Sequence, residues 1–245
     1  MFGFETEKFI IRLLDKSNKD ELTEVQKLRY QSLLKDFNHD LPSEGIDDDG
    51  YDEYSDSIIA VDKSNGVIAG TYRIATVNTV KGHEFMSGEE FDLSPLINCQ
   101  DGFIEAGRAV VKEEYRDGNV LSLLWAALFN YGEVFNLRYV IGTVSFHGTD
   151  PQVHEKCTSL LRNEFVSNEF KVRSRKNSFE YGEMNNLSRS EVEIPALLKG
   201  YLYILGGKVS ENGYIDYKFN SCDVLMIVDL HKVNPRHVQM LFRGL

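Results

Sequence analysis

The pattern of hydrophobic and polar positions predicts a chain in which strands and helices alternate. Apolar runs bounded by turn residues predict strands at 8–14, 57–62, 67–77, 103–111, 138–146 and 223–230. Apolar residues at helical spacing predict helices at 19–36, 117–135, 194–205 and 234–242, with another helix beginning at Asp150 and Pro151. The order of these elements predicts an α/β protein.

Two connections indicate how the predicted strands pair. A turn at 63–66 joins two strands into an antiparallel hairpin. The strand–helix–strand unit over 103–144 predicts a parallel pair with a right-handed crossover. We find no internal repeat and no low-complexity linker, and we therefore expect a mixed sheet with helices on its faces in one domain over residues 1–245.

Four charged residues lie where this pattern predicts hydrophobic side chains. Arg29 projects from the apolar face of the first helix, and Arg73 lies inside a strand. The strand FIEAGRAVV carries Glu105 and Arg108, which a regular strand places on opposite faces. A bulge at Gly107 would change that parity.

A buried unpaired charge costs several kcal/mol, so these residues must be paired or must line a cavity. One interpretation is a set of internal ion pairs between Arg29 or Arg73 and the acidic loop, at Asp49, Asp52 and Asp56. The other is a polar active-site cleft, which the occurrence of all four charges favours. In such a cleft, desolvation would raise the pKa of Glu105 and make it suitable as a general base.

A second polar group follows the strand at 138–146. Ser145 and His147 come at the carboxyl end of this strand and just before a helix, where ligands of open α/β sheets often bind. His147, His154 and Cys157 could suggest a metal, but no matching ligand pair supports one, and we expect none.

Composition narrows the functional classes. The chain has 245 residues and a net charge of −11, which argues against a general nucleic-acid binder. Its three cysteines form neither a disulfide framework nor a zinc motif. No run approaches the roughly 18 apolar residues of a membrane helix, and the start lacks the features of a signal peptide. We expect a cytoplasmic protein; the terminal helix, with Val238, Leu241 and Phe242 beside basic residues, either packs on the protein or rests on the inner membrane surface.

An ordered set of segments resembles the ornithine lipid-type N-acyltransferases. This family belongs to the GNAT superfamily and is related to acyl-homoserine-lactone synthases and N-acyl amino acid synthases. The resemblance is carried by FIIRLL, LRYQSL, DDGYDEYSD, AGTYRIA, IEAGRAVVKEEYRDGNVLSLLW, VIGTVSFHGTDP and PALLKGYLYILGGKVSENGYIDYKFNSCDVLMIVDL. It implies a GNAT-like fold with a mixed, mostly antiparallel central sheet flanked by helices.

The resemblance also implies an activity and roles for the residues above. A long-chain fatty acyl group would pass from the phosphopantetheine thioester of acyl carrier protein to the α-amine of an amino acid, with ornithine favoured. Glu105 would receive the amine proton, and Ser145 and His147 would face the thioester carbonyl and its developing oxyanion. The residues that would shape the amino-acid end are Arg29, Asp49, Asp52, Arg73 and Arg108.

The donor side departs from the acetyl-CoA enzymes of the superfamily. Their Q/R-x-x-G-x-G/A turn holds a pyrophosphate, whereas here Asn119 and Leu121 replace the expected glycines and Gly118 is displaced. This favours a carrier protein over CoA as donor, with no tightly bound cofactor. An acidic carrier needs basic docking residues, and KVRSRK at 171–176, here called the basic strip, either docks it or is a solvated loop. The expected donor-binding residues are Arg116, Gly118, Asn119, Arg138, Lys171, Arg173, Arg175 and Lys176.

Several alternatives stay open. The acidic residues of the loop could bind the cationic side chain of ornithine, or they could pair with Arg29 and Arg73 and leave a small pocket for glycine. An acyl-homoserine-lactone-type synthase and a non-catalytic acyl- or lipid-binding module are further readings. The sequence predicts no oligomeric state.

Overall fold

The computed structural model describes residues 2–38, 40–80, 84–184 and 189–241. The chain divides into two compact units, each built from segments that are distant in sequence. The first unit comprises residues 1–83, 104–137 and 235–245, and the second comprises residues 84–103 and 138–234. The expectation of one domain over 1–245 stays a prediction.

Ten strands and eight α-helices are formed by the described residues. The strands are β1 Phe4–Glu5, β2 Phe9–Leu13, β3 Asp56–Asp62, β4 Ile68–Ala75, β5 Phe103–Val111, β6 Tyr139–His147, β7 Ser178–Phe179, β8 Lys208–Val209, β9 Gly213–Asp216 and β10 Ser221–Asp229. The helices are α1 Lys19–Arg29, α2 Lys35–Phe37, α3 Val77–Val80, α4 Ser94–Ile97, α5 Asn119–Phe135, α6 Glu155–Glu164, α7 Ala196–Tyr203 and α8 Pro235–Leu241. A π-helical turn spans Tyr30–Leu34, and 3₁₀ turns span Tyr51–Glu53, Met86–Glu89, Glu113–Tyr115, Pro151–His154, Arg189–Glu191 and Leu230–Lys232.

In the first unit, β1 to β5 pair antiparallel in chain order, with helices on both faces. Gly70 of β4 allows α5 to pack closely, because a Cβ atom there would lie 2.7 Å from a methyl group of Val120. On the other face, Val25 of α1 packs in one apolar cluster with Ile59 of β3. The side chains of β4 on the face opposite Gly70 therefore point towards α1 and the loop that follows α1.

The predicted first helix is present but changes its geometry at its centre. Asn18 caps α1 by accepting a hydrogen bond from the backbone N–H of Glu21. A π-helical turn then follows directly after Arg29. The wider turn carries the buried ring of Tyr30 against Gly45, where a Cβ atom would lie 2.4 Å from the ring. This close approach holds the start of the acidic loop against the helix.

In the second unit, β10 pairs antiparallel with β6 along its whole length and with β9 at its beginning. The order is β6, β10, β9, β7, and β8 pairs with the later part of β10. Two of these strands were predicted, but the region 166–220 also forms the short strands β7, β8 and β9, which have two to four residues each. Such strands are too short to show a period of two in the sequence.

The predicted fold class is confirmed: α/β with a mostly antiparallel sheet flanked by helices. The expected parallel pairing of 103–111 with 138–146 would join the two units and stays a prediction. The terminal helix packs on α5 and buries Leu241, as the first alternative for it required. Phe242, at the end of that predicted helix, lies outside the described residues. Among the described residues, no helix has the length and apolar character needed to span a bilayer.

Candidate active site

Three arginines of the first unit converge on three aspartates of the loop that precedes β3. We call this group the arginine–aspartate network. Its members are Arg29, Asp47, Asp49, Asp52, Arg73 and Arg108.

Arg29, at the end of α1, is the buried centre of the network, with 0% of its side chain exposed. Its two Nη atoms donate hydrogen bonds to the two carboxylate oxygens of Asp52 at 2.7 and 2.6 Å. Its Nε atom lies 2.9 Å from Oδ2 of Asp47. Burial works to raise the pKa of Asp52, but the hydrogen bonds and charge of Arg29 outweigh it and hold that pKa below its ordinary value.

Arg73, on the α1-facing side of β4, makes a second two-pronged pair. Its Nη1 and Nη2 atoms donate to the two oxygens of Asp49 at 2.6 and 2.8 Å. Burial again opposes the charged form of Asp49, but Arg73 and Arg108 prevail and lower the pKa of this carboxyl to about 2. The geometry is the bidentate one that makes arginine–carboxylate pairs strong and directional.

Arg108 reaches the network because β5 contains a bulge. The ladder passes from Thr71↔Val110 to Arg73↔Gly107, so β5 has one residue more than β4 over this interval. Arg108 itself has a left-handed backbone, with φ of 53°. Its Nε lies 3.0 Å from Oδ2 of Asp47, and its Nη2 lies 3.0 Å from Oδ2 of Asp49. A bulge directly after Gly107 thus changes the parity, as the sequence allowed.

Glu105 lies beside this network on the same face of the sheet. It is paired with Ala75, two residues from Arg73, and the residue directly opposite Arg73 is Gly107. Diagonal neighbours of this kind have Cβ atoms about 7 Å apart, and glycine places no side chain between them. Glu105 is buried. Its predicted role as acceptor of the amine proton stays a prediction, now with a defined position next to Arg73.

Sequence reasoning missed Asp47 and misplaced Asp56. Asp47 is buried and bridges Arg29 to Arg108. Asp56, which was considered as a partner of the arginines, forms an ion pair with Lys16 at 3.4 Å instead. Asp47, Asp48 and Asp49 are consecutive in a loop, and no pattern in the sequence singles out Asp47.

The acidic loop pairs with arginines of the protein itself. Each of the three carboxylates in the network contacts an arginine, as in the alternative in which the acids pair internally. The side chains of Asp49 and Arg108 are 22% and 18% exposed, which makes them the most accessible members. Arg29 is enclosed, and any effect it has on a substrate must pass through Asp47 and Asp52.

Ser145 and His147 are presented by β6 in the second unit. In the ladder they lie opposite Asp223 and Ser221 of β10. Ser145 is half-buried, whereas His147 is exposed and its carbonyl oxygen lies 2.9 Å from Nε2 of His154. Their assignment to the thioester carbonyl stays a prediction.

The start of α5 differs from an open phosphate cradle. Gly118 has a left-handed backbone with φ of 92°. The side chain of Asp117 accepts hydrogen bonds from the backbone N–H and the amide group of Asn119, at 2.9 and 3.0 Å. The Nε atom of Arg116 donates to the carbonyl oxygen of Val111 at 3.0 Å. A carboxylate therefore occupies the first N–H of the helix, where the macrodipole is most positive.

Arg138 of the second unit is paired with carboxylates, and its part in donor docking stays a prediction. Arg138 makes a bidentate pair with Asp229 at 3.0 and 2.8 Å and contacts Asp101 at 2.7 Å. The hydrogen bonds that Arg138 donates to Asp229 and Asp101 hold its pKa above the ordinary value.

The basic strip shows the same compensation at the surface. Lys171 lies 3.5 Å from Glu211, and Arg173 lies 2.7 Å from Glu180. All four charged side chains of the strip are exposed: Lys171, Arg173, Arg175 and Lys176. Whether the strip docks a carrier protein or is a solvated loop stays a prediction.

Comparisons with known proteins identify the class of protein. Residues 28–126, which include Arg29, Arg73, Glu105 and Arg108, match the family model described as an acetyltransferase (GNAT) domain. An L-ornithine N(alpha)-acyltransferase of Agrobacterium fabrum is 29% identical, over 90% of this chain and 81% of the relative. Another protein of that name, from Rhodobacter capsulatus, is 25% identical over 91% of each chain.

The fold agrees with a solved structure as well. That of a CoA-dependent acyl-homoserine lactone synthase, MesI, superimposes with a TM-score of 0.53 at 12% identity, over 95% of this chain and 93% of the other. The GNAT domain match and the curated relatives together show that the chain is an acyltransferase with a GNAT-like fold. It is similar to the L-ornithine N(alpha)-acyltransferases over about nine tenths of its length, which confirms the predicted resemblance.

Proposed function

We propose that this protein transfers a long-chain fatty acyl group from acyl carrier protein to the α-amine of L-ornithine, which gives a lyso-ornithine lipid. The observation that carries the proposal is the extended similarity to relatives that bear the name L-ornithine N(alpha)-acyltransferase. The position of Glu105 beside the arginine–aspartate network supports it. The enzyme would act in the cytoplasm and release its amphiphilic product at the inner membrane surface.

The acceptor end needs a proton acceptor and a site for a carboxylate. An amine attacks a thioester only in its neutral form, so a buried carboxylate near the amine can take the proton. Glu105 is that carboxylate in our proposal. Arg108 is the most exposed arginine of the network and would contact the α-carboxylate of the amino acid, because guanidinium groups recognise carboxylates by paired hydrogen bonds. Arg29, Asp47 and Asp52 would hold the loop in place.

One observation favours a second candidate, N-acylglycine synthesis. Asp49 and Asp52 are already paired with Arg73 and Arg29 at 2.6 to 2.8 Å, and this leaves less negative charge for the side-chain ammonium group of ornithine. Glycine has no such group to accommodate. The comparison of the two acceptors therefore tests the substrate, whereas the acyltransferase class does not depend on it.

At the donor end, the structure of the α5 start supports a carrier protein over CoA. The carboxylate of Asp117 caps Asn119 where a pyrophosphate would need backbone N–H groups. Like charges would repel there, and a phosphopantetheine arm with one phosphate suffers less from this repulsion than CoA with its pyrophosphate. Arg116, near the same turn, and the exposed Arg175 and Lys176 are the remaining candidates for contact with an acidic carrier.

The decisive experiment identifies the product and then removes the proposed base. Mass spectrometry of lipids from cells that express the chain would show N-acylornithine, and purified protein would use acyl carrier protein thioesters better than acyl-CoA. Glu105→Gln should lower kcat/KM at least about 100-fold, the range for loss of a general base. Glu7→Gln is the matched control, since Glu7 is exposed, and it should retain activity.

Other outcomes would change the proposal. Acylglycine as the main product would replace ornithine by glycine, and an acyl-homoserine lactone would place the chain with the synthases of that class. Full activity of Glu105→Gln would remove Glu105 from the mechanism. Tight fatty-acid binding without transfer to ornithine or to any of the common amino acids would instead indicate a lipid-binding module.

A further inference from the structure

A group of carboxylates lies on one face of the second unit, next to the strand that carries Ser145 and His147. We call Glu90, Asp216 and Asp223 the carboxylate cluster, because each offers an oxygen atom and these atoms all lie within 4.8 Å of one another. Asp216 ends β9 and Asp223 lies near the beginning of β10. Glu90 follows the 3₁₀ turn Met86–Glu89. Three segments of the chain therefore contribute one acid each.

A buried hydroxyl points to the same place. Ser221 lies directly opposite Asp216 in the β9–β10 ladder and two residues before Asp223 on β10, so all three side chains project from one face. Ser221 is 0% exposed. Within residues 2–38, 40–80, 84–184 and 189–241, its Oγ atom has no hydrogen-bond partner. Leaving such an atom unsatisfied costs about 1–3 kcal/mol, so a ligand that contacts this hydroxyl would be favoured.

We propose that the carboxylate cluster and Ser221 bind one divalent cation, with Ca²⁺ preferred. Carboxylate and hydroxyl oxygens are hard ligands, and the site has neither the imidazole nor the thiolate that zinc prefers. Asp216 is already oriented, because its Oδ1 atom accepts hydrogen bonds from the backbone N–H groups of Lys218 and Phe219 at 2.8 and 2.9 Å. Outer contacts of this kind fix ligand direction in metal sites.

The number of protein ligands favours the larger ion. Ca²⁺ accepts several carboxylates in a flexible geometry, whereas Mg²⁺ demands near-ideal octahedral geometry, keeps several waters and usually takes only one or two carboxylates. The cluster offers three carboxylates from three segments of the chain, together with a neighbouring hydroxyl. Bound there, the ion would neutralise three like charges and tie the segment at Glu90 to β9 and β10. This site does not involve His147, His154 or Cys157; burial raises the pKa of the Cys157 thiol to about 11 and disfavours thiolate ligation.

The neighbouring aromatic ring offers a direct readout. Tyr214 lies opposite Asp223 in the ladder, and burial together with the carboxylates of the cluster raises the pKa of its hydroxyl. Tb³⁺ occupies Ca²⁺ sites and luminesces when a tyrosine close by absorbs light. The full-length protein, stripped of metal by a chelator, should therefore show Tb³⁺ luminescence that CaCl₂ displaces.

The test combines this assay with calorimetric titration of CaCl₂ and MgCl₂. We expect one site per chain, with Ca²⁺ bound at least tenfold more tightly than Mg²⁺. Asp216→Asn and Asp223→Asn should each weaken Ca²⁺ binding at least tenfold, and Ser221→Ala should weaken it by a smaller factor. Glu193→Gln, which removes an exposed carboxylate outside the cluster, is the matched control and should bind as the unsubstituted chain does.

Several results would overturn the proposal. One is the absence of saturable Ca²⁺ binding, and another is binding that Asp216→Asn and Ser221→Ala leave unchanged. In a third result, butylammonium chloride binds, displaces Ca²⁺, and loses affinity in the same variants. The cluster would then be an alkylammonium site. Circular dichroism checks the fold of each variant; if the buried Asp223→Asn fails to fold, the half-buried Asp216 carries the test. None of these readouts depends on acyl transfer.

Discussion

The arginine–aspartate network of the first unit and the basic strip of the second use the same ion pair in two settings. Arg29 meets Asp52 at 2.6 Å, and Arg173 meets Glu180 at 2.7 Å. The side chain of Arg29 is 0% exposed, however, whereas those of Arg173 and Glu180 are 51% and 68% exposed. The difference teaches that an interatomic distance says little about what an ion pair does. Burial decides whether water can replace a lost partner.

Loss of one partner therefore has unequal consequences in the two regions. A residue left alone in the network keeps a charge that the interior cannot solvate. A residue left alone in the strip is hydrated at once, and exposed pairs contribute about 0–1 kcal/mol. The network is thus a stability determinant of the loop beside Glu105, and the strip is not.

The largest expected effect comes from Arg29→Met. This change leaves Asp52 and Asp47 buried without their main counter-charge, and breaking a buried pair typically costs about 3–5 kcal/mol. Urea unfolding measures the free energy. Arg173→Met removes the same group from the strip and should cost less than about 1 kcal/mol. Equal costs for the two variants would mean that burial does not separate the regions.

A smaller effect is expected on acidification. The pKa of Asp49 is lowered to about 2 from an ordinary 3.8, so the unfolded chain binds a proton more readily than the folded one. The resulting stability is fully present above about pH 4 and is lost as the pH falls towards 2, by on the order of 2 kcal/mol. Unfolding free energies measured at pH 5, 4 and 3 should decline less steeply in Asp49→Asn.

The strip supplies the control for this pH dependence. Glu180→Gln removes a carboxylate whose partner, Arg173, is exposed to water. It should leave the slope between pH 5 and 3 as in the unsubstituted chain. A slope that is unchanged in Asp49→Asn would show that other groups carry the acid sensitivity.

Arg108 lies between the two extremes and tests the bulge. Its φ of 53° suits glycine better than a residue with a side chain. Arg108→Gly and Arg108→Ala both remove the guanidinium group, and they differ only in this backbone preference. We expect Arg108→Gly to be more stable than Arg108→Ala by about 1 kcal/mol. The reverse order, the usual one within a strand, would argue against the left-handed conformation.

The sequence anticipated this site unevenly, for identifiable reasons. Arg29, Arg73 and Glu105 were visible because a charge interrupts an apolar period, and the period reports which side chains are buried. Asp47 was not visible because it lies in a loop, where no period applies. The position of Arg108 depended on a bulge that the pairing of β4 with β5 sets, and local propensity does not encode it.

The strip shows a different limit of sequence reasoning. KVRSRK reads as a positive patch because its partners are absent from the segment itself. Glu211 lies 38 residues from Arg173, and a backbone hydrogen bond from Glu211 to the carbonyl oxygen of Val172 brings the two together. Charge along a sequence predicts surface potential only where no distant residue compensates that charge in the folded chain.

The smallest expected effect is therefore in the strip, and it bears on donor docking. The double change Arg175→Glu and Lys176→Glu reverses the last two charges of the strip, both of which are exposed. It should alter the unfolding free energy by less than about 0.5 kcal/mol. If acyl carrier protein docks there, its KM should rise at least threefold and the rise should shrink at high salt, since exposed charges are screened. Arg116→Glu, at the start of α5, provides the matched comparison in the first unit. A raised KM in Arg116→Glu alone would place carrier docking at α5 and leave the strip as a solvated loop, because a reversed charge weakens association only where the partner's charge comes close.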